Sequence, residues 1–243
     1  MYQTAAALLF AHVLADFMLQ SDGMIREKRR PLVQLAHAAI VLAASLAALG
    51  QVVALPVVLL AVAHLGIDRV KLAVEDTIRP FLIDQGAHLI TIGAIAVAAP
   101  TLWKDGLWPD LLPAKVADLV PLAMLYVAGF IVAVRTGGFA VDKLLAPYTP
   151  YWKRAAILSG GLQNGGLLIG QLERGLTYLL VLAGYPTGVA FLIAAKSILR
   201  FNASKDDRRI AEYVIIGTLA SVGWALAAAF ATGALITLAG GPP

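Results

Sequence analysis

An all-α integral membrane bundle is the fold class this sequence predicts, and three observations predict it. Of 243 residues, 60% are hydrophobic and only 14% are charged, where a soluble domain carries about 25% charged residues. The apolar residues fall into runs close to the roughly 20 needed for a helix to cross a bilayer. The basic residues gather in alternate connections between those runs.

Eight runs are read as spans, at 3–20, 32–49, 52–69, 81–103, 116–135, 156–183, 186–201 and 212–238. The first contains His12 and Asp16 and no basic stretch precedes it, so it reads as a permanent span rather than a cleavable leader. The third and fourth flank a short amphipathic stretch, 70–80. The sixth is long and Gly-rich, and its first part, 155–170, reads alternatively as a re-entrant or interfacial piece. The seventh is short. The count is therefore about eight, with seven and nine as the alternatives.

Charge sets the orientation. With alternating crossings, the connections 21–31, 69–80, 135–154 and 200–211 lie on one side and hold 15 of the 19 Lys and Arg residues. The other side holds only Lys104 and Lys115. The positive-inside rule places the basic side in the cytoplasm and both termini outside. The connections are short, so the chain is expected to form one integrated bundle. Residues 1–103 would be a four-helix unit and 104–243 a second set of membrane helices.

The composition also excludes some functions. The chain has no cysteine, which removes disulfides, thiolate ligands and thiol catalysis. No basic stretch interleaved with aromatics points to nucleic acid. The expected partners are membrane lipid and a lipid-like substrate.

The chemistry-bearing residues are concentrated in the first four spans. His12, His37, His64 and His88 each occupy a different one. Three have a carboxylate four residues away: Asp16, Asp68 and Asp84. Residues at i and i+4 share a helix face, so each pair aims at one spot. Span two begins at Pro31, which puts His37 about 9 Å deep at 1.5 Å per residue. Spans one and three run inward and reach His before Asp. Span four runs outward and reaches Asp first. Antiparallel helices need that reversal to bring all seven residues to one level in the cytoplasmic half.

Ionisable side chains inside a membrane cost several kcal/mol unless paired or hydrated. One His–Asp pair would serve as a buried polar clamp between helices. Seven such residues at one depth point to a divalent metal, since imidazole and carboxylate suit zinc, manganese or iron. One ion with second-shell Asp–His partners and two ions about 3.5–4 Å apart both fit the count. The histidines would be ligands, and Asp16, Asp68 and Asp84 ligands or a general base. Gln20 and Gln85 are candidate hydrogen-bond partners of the cluster: Gln20 continues the stripe of His12 and Asp16, whereas Gln85 follows Asp84 directly and points off its face, and Gln34 is placed to orient His37.

The distal half carries a second polar set, Glu173, Arg174, Lys196 and Arg200. An arginine fork matches an anionic headgroup, so this set is expected to bind the anionic part of a substrate. The alternative is snorkelling or pairing with Glu173 and Glu212. The glycines 160, 161, 165, 166 and 170 lack a Walker lysine pattern and are read as helix-packing positions.

The run His12-Val-Leu-Ala-Asp16-Phe-Met-Leu-Gln20, then His37, His64-Leu-Gly-Ile-Asp68 and Asp84-Gln85-Gly-Ala-His88 resembles the bacterial domain-of-unknown-function family 3307 over about residues 5–100. The motifs around Leu172-Glu173-Arg174, Ala195 to Phe201 and Glu212 to Thr218 resemble the tail of its longer members. The resemblance implies a bacterial inner-membrane protein and no particular activity. The residues themselves predict an intramembrane metal-dependent enzyme, a hydrolase of a lipid-like substrate. A metal or proton transporter and a structural or partner-binding protein are the alternatives.

Overall fold

The computed structural model describes residues 1–150, 165–201 and 208–241, with backbone alone for 199–201 and 208–210. All regular structure among them is helical. In chain order the helices are α1 (Tyr2–Leu14), α2 (Asp22–Arg26), α3 (Pro31–Leu49), α4 (Leu55–Lys71), α5 (Ile78–Ala98), α6 (Trp108–Leu111), α7 (Ala114–Ile131), α8 (Gly137–Leu145), α9 (Gly165–Leu182), α10 (Thr187–Phe201) and α11 (Arg208–Leu238). A π turn, Ala15–Leu19, follows α1, and a second, Val132–Thr136, joins α7 to α8.

Five helical stretches are long and apolar enough to cross a membrane: Tyr2–Leu19, Pro31–Leu49, Ile78–Ala98, Ala114–Tyr148 and Ala211–Leu238. The other three expected segments contain helices that are shorter or more charged. α4 has 17 residues and carries His64, Asp68, Arg69 and Lys71. α9 has 18 and carries Glu173 and Arg174. α10 has 15. The segment expected at 116–135 lies within a 35-residue helical stretch, Ala114–Tyr148, in which the π turn Val132–Thr136 is followed directly by α8, opening at Gly137. Of the proposed re-entrant stretch 155–170, residues 155–164 lie outside the described residues, and Gly165 opens α9.

The chain forms two compact units, Met1–Ile131 with Leu235–Pro243, and Val132–Ala234. In the first, α1 is central: half of its span is buried, against 33% for α3 and 28% for α5. It packs on α3, α5 and α7, while α3 packs on α4 and α4 on α5. Small residues allow this, since Ala6, Ala7, Ala11 and Ala15 are fully covered and let neighbouring backbones approach. Leu8, Leu49, Val57, Ile92 and Trp103 fill the layer beyond them.

Local chemistry sets the helix ends. Pro31 occupies the first turn of α3, where its missing N–H costs nothing. Gly50 ends α3 at φ 69°, and Gln51 N–H returns to Leu46 O at 2.9 Å in a Schellman closure. Leu107 N–H then donates to Gly50 O at 2.8 Å, and Trp108 Nε1 to Ala47 O at 2.8 Å. The connection after α5 is thereby fastened to the end of α3. At the same end Thr4 Oγ1 donates to Pro100 O at 2.9 Å and accepts from Trp103 N–H at 3.3 Å.

In the second unit the π turn is the organising feature. Its wide turn leaves carbonyls without helical partners. Val132 O accepts from Trp224 Nε1 at 2.9 Å, and Val134 O accepts from Arg174 Nε at 3.1 Å and Nη2 at 2.9 Å. Gly137 makes room for this, because a Cβ there would lie 2.6 Å from the Trp224 ring and 2.9 Å from Arg174 Cδ.

Candidate metal centre

The first unit brings all seven predicted residues into one buried cluster. α1 supplies His12, its π turn Asp16, α3 His37, α4 His64 and Asp68, and α5 Asp84 and His88. The four histidines, Asp68 and Asp84 are between 2% and 6% exposed, and the Asp16 side chain is 11% exposed. The i,i+4 spacing works as expected on α1, α4 and α5, where each histidine and its aspartate lie 3.6–3.8 Å apart.

Asp16 sits among three imidazoles. Its Oδ1 is 3.2 Å from His37 Nε2 and 3.4 Å from His64 Nε2. Those two nitrogens are 3.2 Å from each other. The three atoms thus form a nearly equilateral triangle. Donors at 2.0–2.1 Å from a tetrahedral ion are separated by about 3.3–3.4 Å, and the triangle has the dimensions of one face of such a shell. On the other side of His64 its ring stacks at 4.1 Å on His88, which lies 5.0 Å from the His12 ring.

Ligating atoms of His12, His64 and His88 lie within 4.8 Å of one another, as do those of Asp16, His37 and His64, and those of Asp68, Asp84 and His88. His64 and His88 each belong to two of these groups, which makes the seven residues one continuous set. Several of its buried atoms lack a hydrogen-bond partner: His12 Nδ1, Asp16 Oδ1, His37 Nδ1, Asp84 Oδ1 and His88 Nε2. Buried polar atoms are nearly always satisfied, and so many orphans in one place fit a cation-binding site.

Two lysines complete the site, and sequence reasoning missed their part in it. Lys28 Nζ donates to Asp68 Oδ1 at 3.1 Å, and Lys71 Nζ to Asp84 Oδ2 at 2.6 Å. In the sequence their positions read only as orientation charges. Asp68 and Asp84 therefore each spend one oxygen on an ammonium. The other Asp68 oxygen, Oδ2, is 3.7 Å from both His37 and His64 Nε2. Among the described residues no lysine pairs with Asp16.

The three glutamines behave differently. Gln85 joins the set: its Oε1 is 3.4 Å from His12 Nε2, and its Nε2 donates to Asp84 Oδ2 at 3.1 Å. Gln34 donates to Lys28 O at 2.9 Å and accepts from Arg69 Nη1 at 2.6 Å, so it braces the Lys28 connection and does not orient His37. Gln20 ends the π turn in extended conformation, because the wider turn breaks the i,i+4 stripe after Asp16.

The second polar set lies in the second unit. Glu173, Arg174 and Lys196 line one cavity of about 390 Å³, and Lys196 Nζ donates to Glu173 Oε2 at 2.6 Å. Arg200 is in α10, but its side chain lies outside the described residues.

No curated protein and no solved structure matches the chain significantly. A family model matches residues 5–106, the stretch that carries the whole His/Asp cluster. Over those residues the chain resembles the family described as "Protein of unknown function (DUF3307)".

Proposed function

We propose that this chain is a multi-pass protein of the bacterial inner membrane whose first unit holds one divalent ion, zinc, manganese or iron. In this reading it hydrolyses a lipid-like or anionic amphiphilic substrate at the cytoplasmic side. The observation that carries the reading is the triangle of Asp16 Oδ1, His37 Nε2 and His64 Nε2, with sides of 3.2–3.4 Å. Two imidazoles and one carboxylate on one face leave the opposite coordination positions open. That is the pattern of catalytic zinc and of non-haem iron sites.

When bound, such an ion makes a water acidic enough to attack an ester at neutral pH. Asp16 would hold the ion together with His37 and His64. Asp68 and Asp84, kept in place by Lys28 and Lys71, would orient His64 and His88 and accept the proton that the water gives up. The lysine-bearing side is where an anionic head would arrive, since Lys28 and Lys71 are about one-fifth exposed.

Eight crossings with both termini outside remain the proposed topology. Its support is the charge distribution and the apolar exterior of the first unit, where Leu32, Val62, Ile83, Ile90 and Val97 are between 62% and 80% exposed. Such side chains face lipid at no cost, whereas water would penalise each by about 1.5–3 kcal/mol.

One observation favours transport of a metal ion or proton as the second reading. The space beside His12, His64 and His88, bounded by Val41, Leu60 and Ile92, holds only about 10 Å³, room for about one water. The two readings separate in one experiment. Purified protein in vesicles of anionic phospholipid is supplied with metal, and headgroup or acyl release is followed together with metal and proton flux. Metal-dependent release that Asp16→Asn abolishes supports the hydrolase. Flux without release supports the transporter.

A further inference from the structure

The guanidinium of Arg174 is buried in the second unit at 4% exposure. Its acceptors are Val134 O, reached from both Nε and Nη2, and Ser221 Oγ, reached from Nη1 at 3.2 Å. No carboxylate pairs with it among the described residues. An uncompensated buried charge is costly, and these bonds leave one N–H on each terminal nitrogen free. One free N–H on each of the two terminal nitrogens is enough to reach two oxygens of one anion.

The space beside the guanidinium is held open. Arg174 lines the cavity of about 390 Å³. A Cβ on Gly170 would come within 3.0 Å of Nη1, and one on Gly138 within 3.3 Å of Nη2. Thr218 lines the same cavity one turn before Ser221 on α11, and its buried Oγ1 has no hydrogen-bond partner. Lys196 is neutralised by Glu173 at 2.6 Å. Asp142, exposed at the cavity wall, makes no ion pair with Arg174 and disfavours a doubly charged guest. Val141, Leu145, Leu167, Ile169 and Val214 supply apolar wall.

We infer that this cavity binds a singly charged phosphate group, with Arg174 gripping two of its oxygens and Thr218 donating to a third. The apolar wall suits a phosphodiester that carries hydrocarbon, the head of an anionic phospholipid. Free inorganic phosphate offers the same oxyanion chemistry. This site is independent of the His/Asp cluster and of any activity there.

The full chain, purified in detergent, is incubated with phosphatidylglycerol, with diacylglycerol, which lacks the phosphate, or with inorganic phosphate, and bound ligand is counted by native mass spectrometry. Wild type is expected to retain one phosphatidylglycerol, at least tenfold more than diacylglycerol. Phosphate binding with no lipid retention would assign the same site to the free ion. Thr218→Val keeps the shape and removes only an unpartnered hydroxyl, so it should fold normally and bind about fivefold more weakly. Arg174→Gln should lose binding at least tenfold. Should Arg174→Gln fail to fold, Thr218→Val decides alone. Unchanged binding in Thr218→Val, or no selective binding of either phosphate compound by wild type, overturns the inference.

Discussion

His37 and His64 face each other through Nε2 at 3.2 Å, and Asp16 Oδ1 lies 3.2 Å from one of these nitrogens and 3.4 Å from the other. Three helical stretches separated in sequence thus bring three donor atoms into a triangle with the dimensions of one face of the proposed coordination shell. His64→Ala removes one nitrogen of this triangle, to which neither His88 nor His12 contributes. It should lower metal affinity more than His88→Ala or His12→Ala, by at least 100-fold against about 10–100-fold. Metal titration of the three purified variants makes the comparison.

The lysine–aspartate pairs give a prediction about stability. Lys71→Met leaves Asp84 Oδ2 with Gln85 alone, a buried carboxylate short of its ammonium. The metal-free protein should lose about 1–3 kcal/mol. Lys71→Met with Asp84→Asn removes both charges and should recover much of that loss. Thermal unfolding in detergent, arranged as a double-mutant cycle, measures the coupling. Additive losses would mean that the pair contributes nothing.

Gly50 and Gly86 should respond oppositely to alanine. At Gly50 the backbone is left-handed, and a Cβ would meet Leu107 N at 2.9 Å. Gly50→Ala should destabilise by at least the roughly 1–2 kcal/mol of the left-handed conformation. Gly86 has nothing within 4 Å of the same position, so Gly86→Ala should stay within about 1 kcal/mol of wild type or gain slightly. Midpoints of thermal unfolding distinguish the two.

Acid should release the metal. Imidazoles bind an ion only when deprotonated, so protons compete at every histidine ligand. Retention is expected to be full at neutral pH and to fall as pH is lowered, with release steeper than for one proton. Equilibrium dialysis across that range reads the slope.

The absence of cysteine makes topology directly measurable. Asp76→Cys and Asp110→Cys place single thiols on connections assigned to opposite sides. A membrane-impermeant thiol reagent should label Asp76→Cys from the cytoplasmic side and Asp110→Cys from the other. Labelling of both from one side would reverse the crossing between them.

The cluster was largely legible in the sequence because its spacing is a helix property. His12–Asp16, His64–Asp68 and Asp84–His88 are each one turn apart, and the reversed order on α5 matches its opposite direction. What spacing could not reveal was contact between elements. Lys28 and Lys71 sit in stretches whose charges also mark a membrane side, and nothing local distinguishes a charge that snorkels from one that turns back to a buried aspartate. Gln85 is a weaker candidate than Gln20 by spacing because neighbouring helix positions diverge by 100°, yet a long amide spans that angle. The helix count was harder still. Charged residues in α4 and α9 dilute the apolar signal, and the π turns at 15–19 and 132–136 carry no sequence mark that the 3.6-residue period would expose.

The central claim is tested most directly by elemental analysis of the detergent-purified protein beside Asp16→Asn and His64→Ala. One equivalent of zinc, manganese or iron in wild type, lost in both folded variants, is the predicted result. Folded wild type that holds no stoichiometric metal under any metal supply would contradict it and leave the cluster as a proton path or a polar clamp.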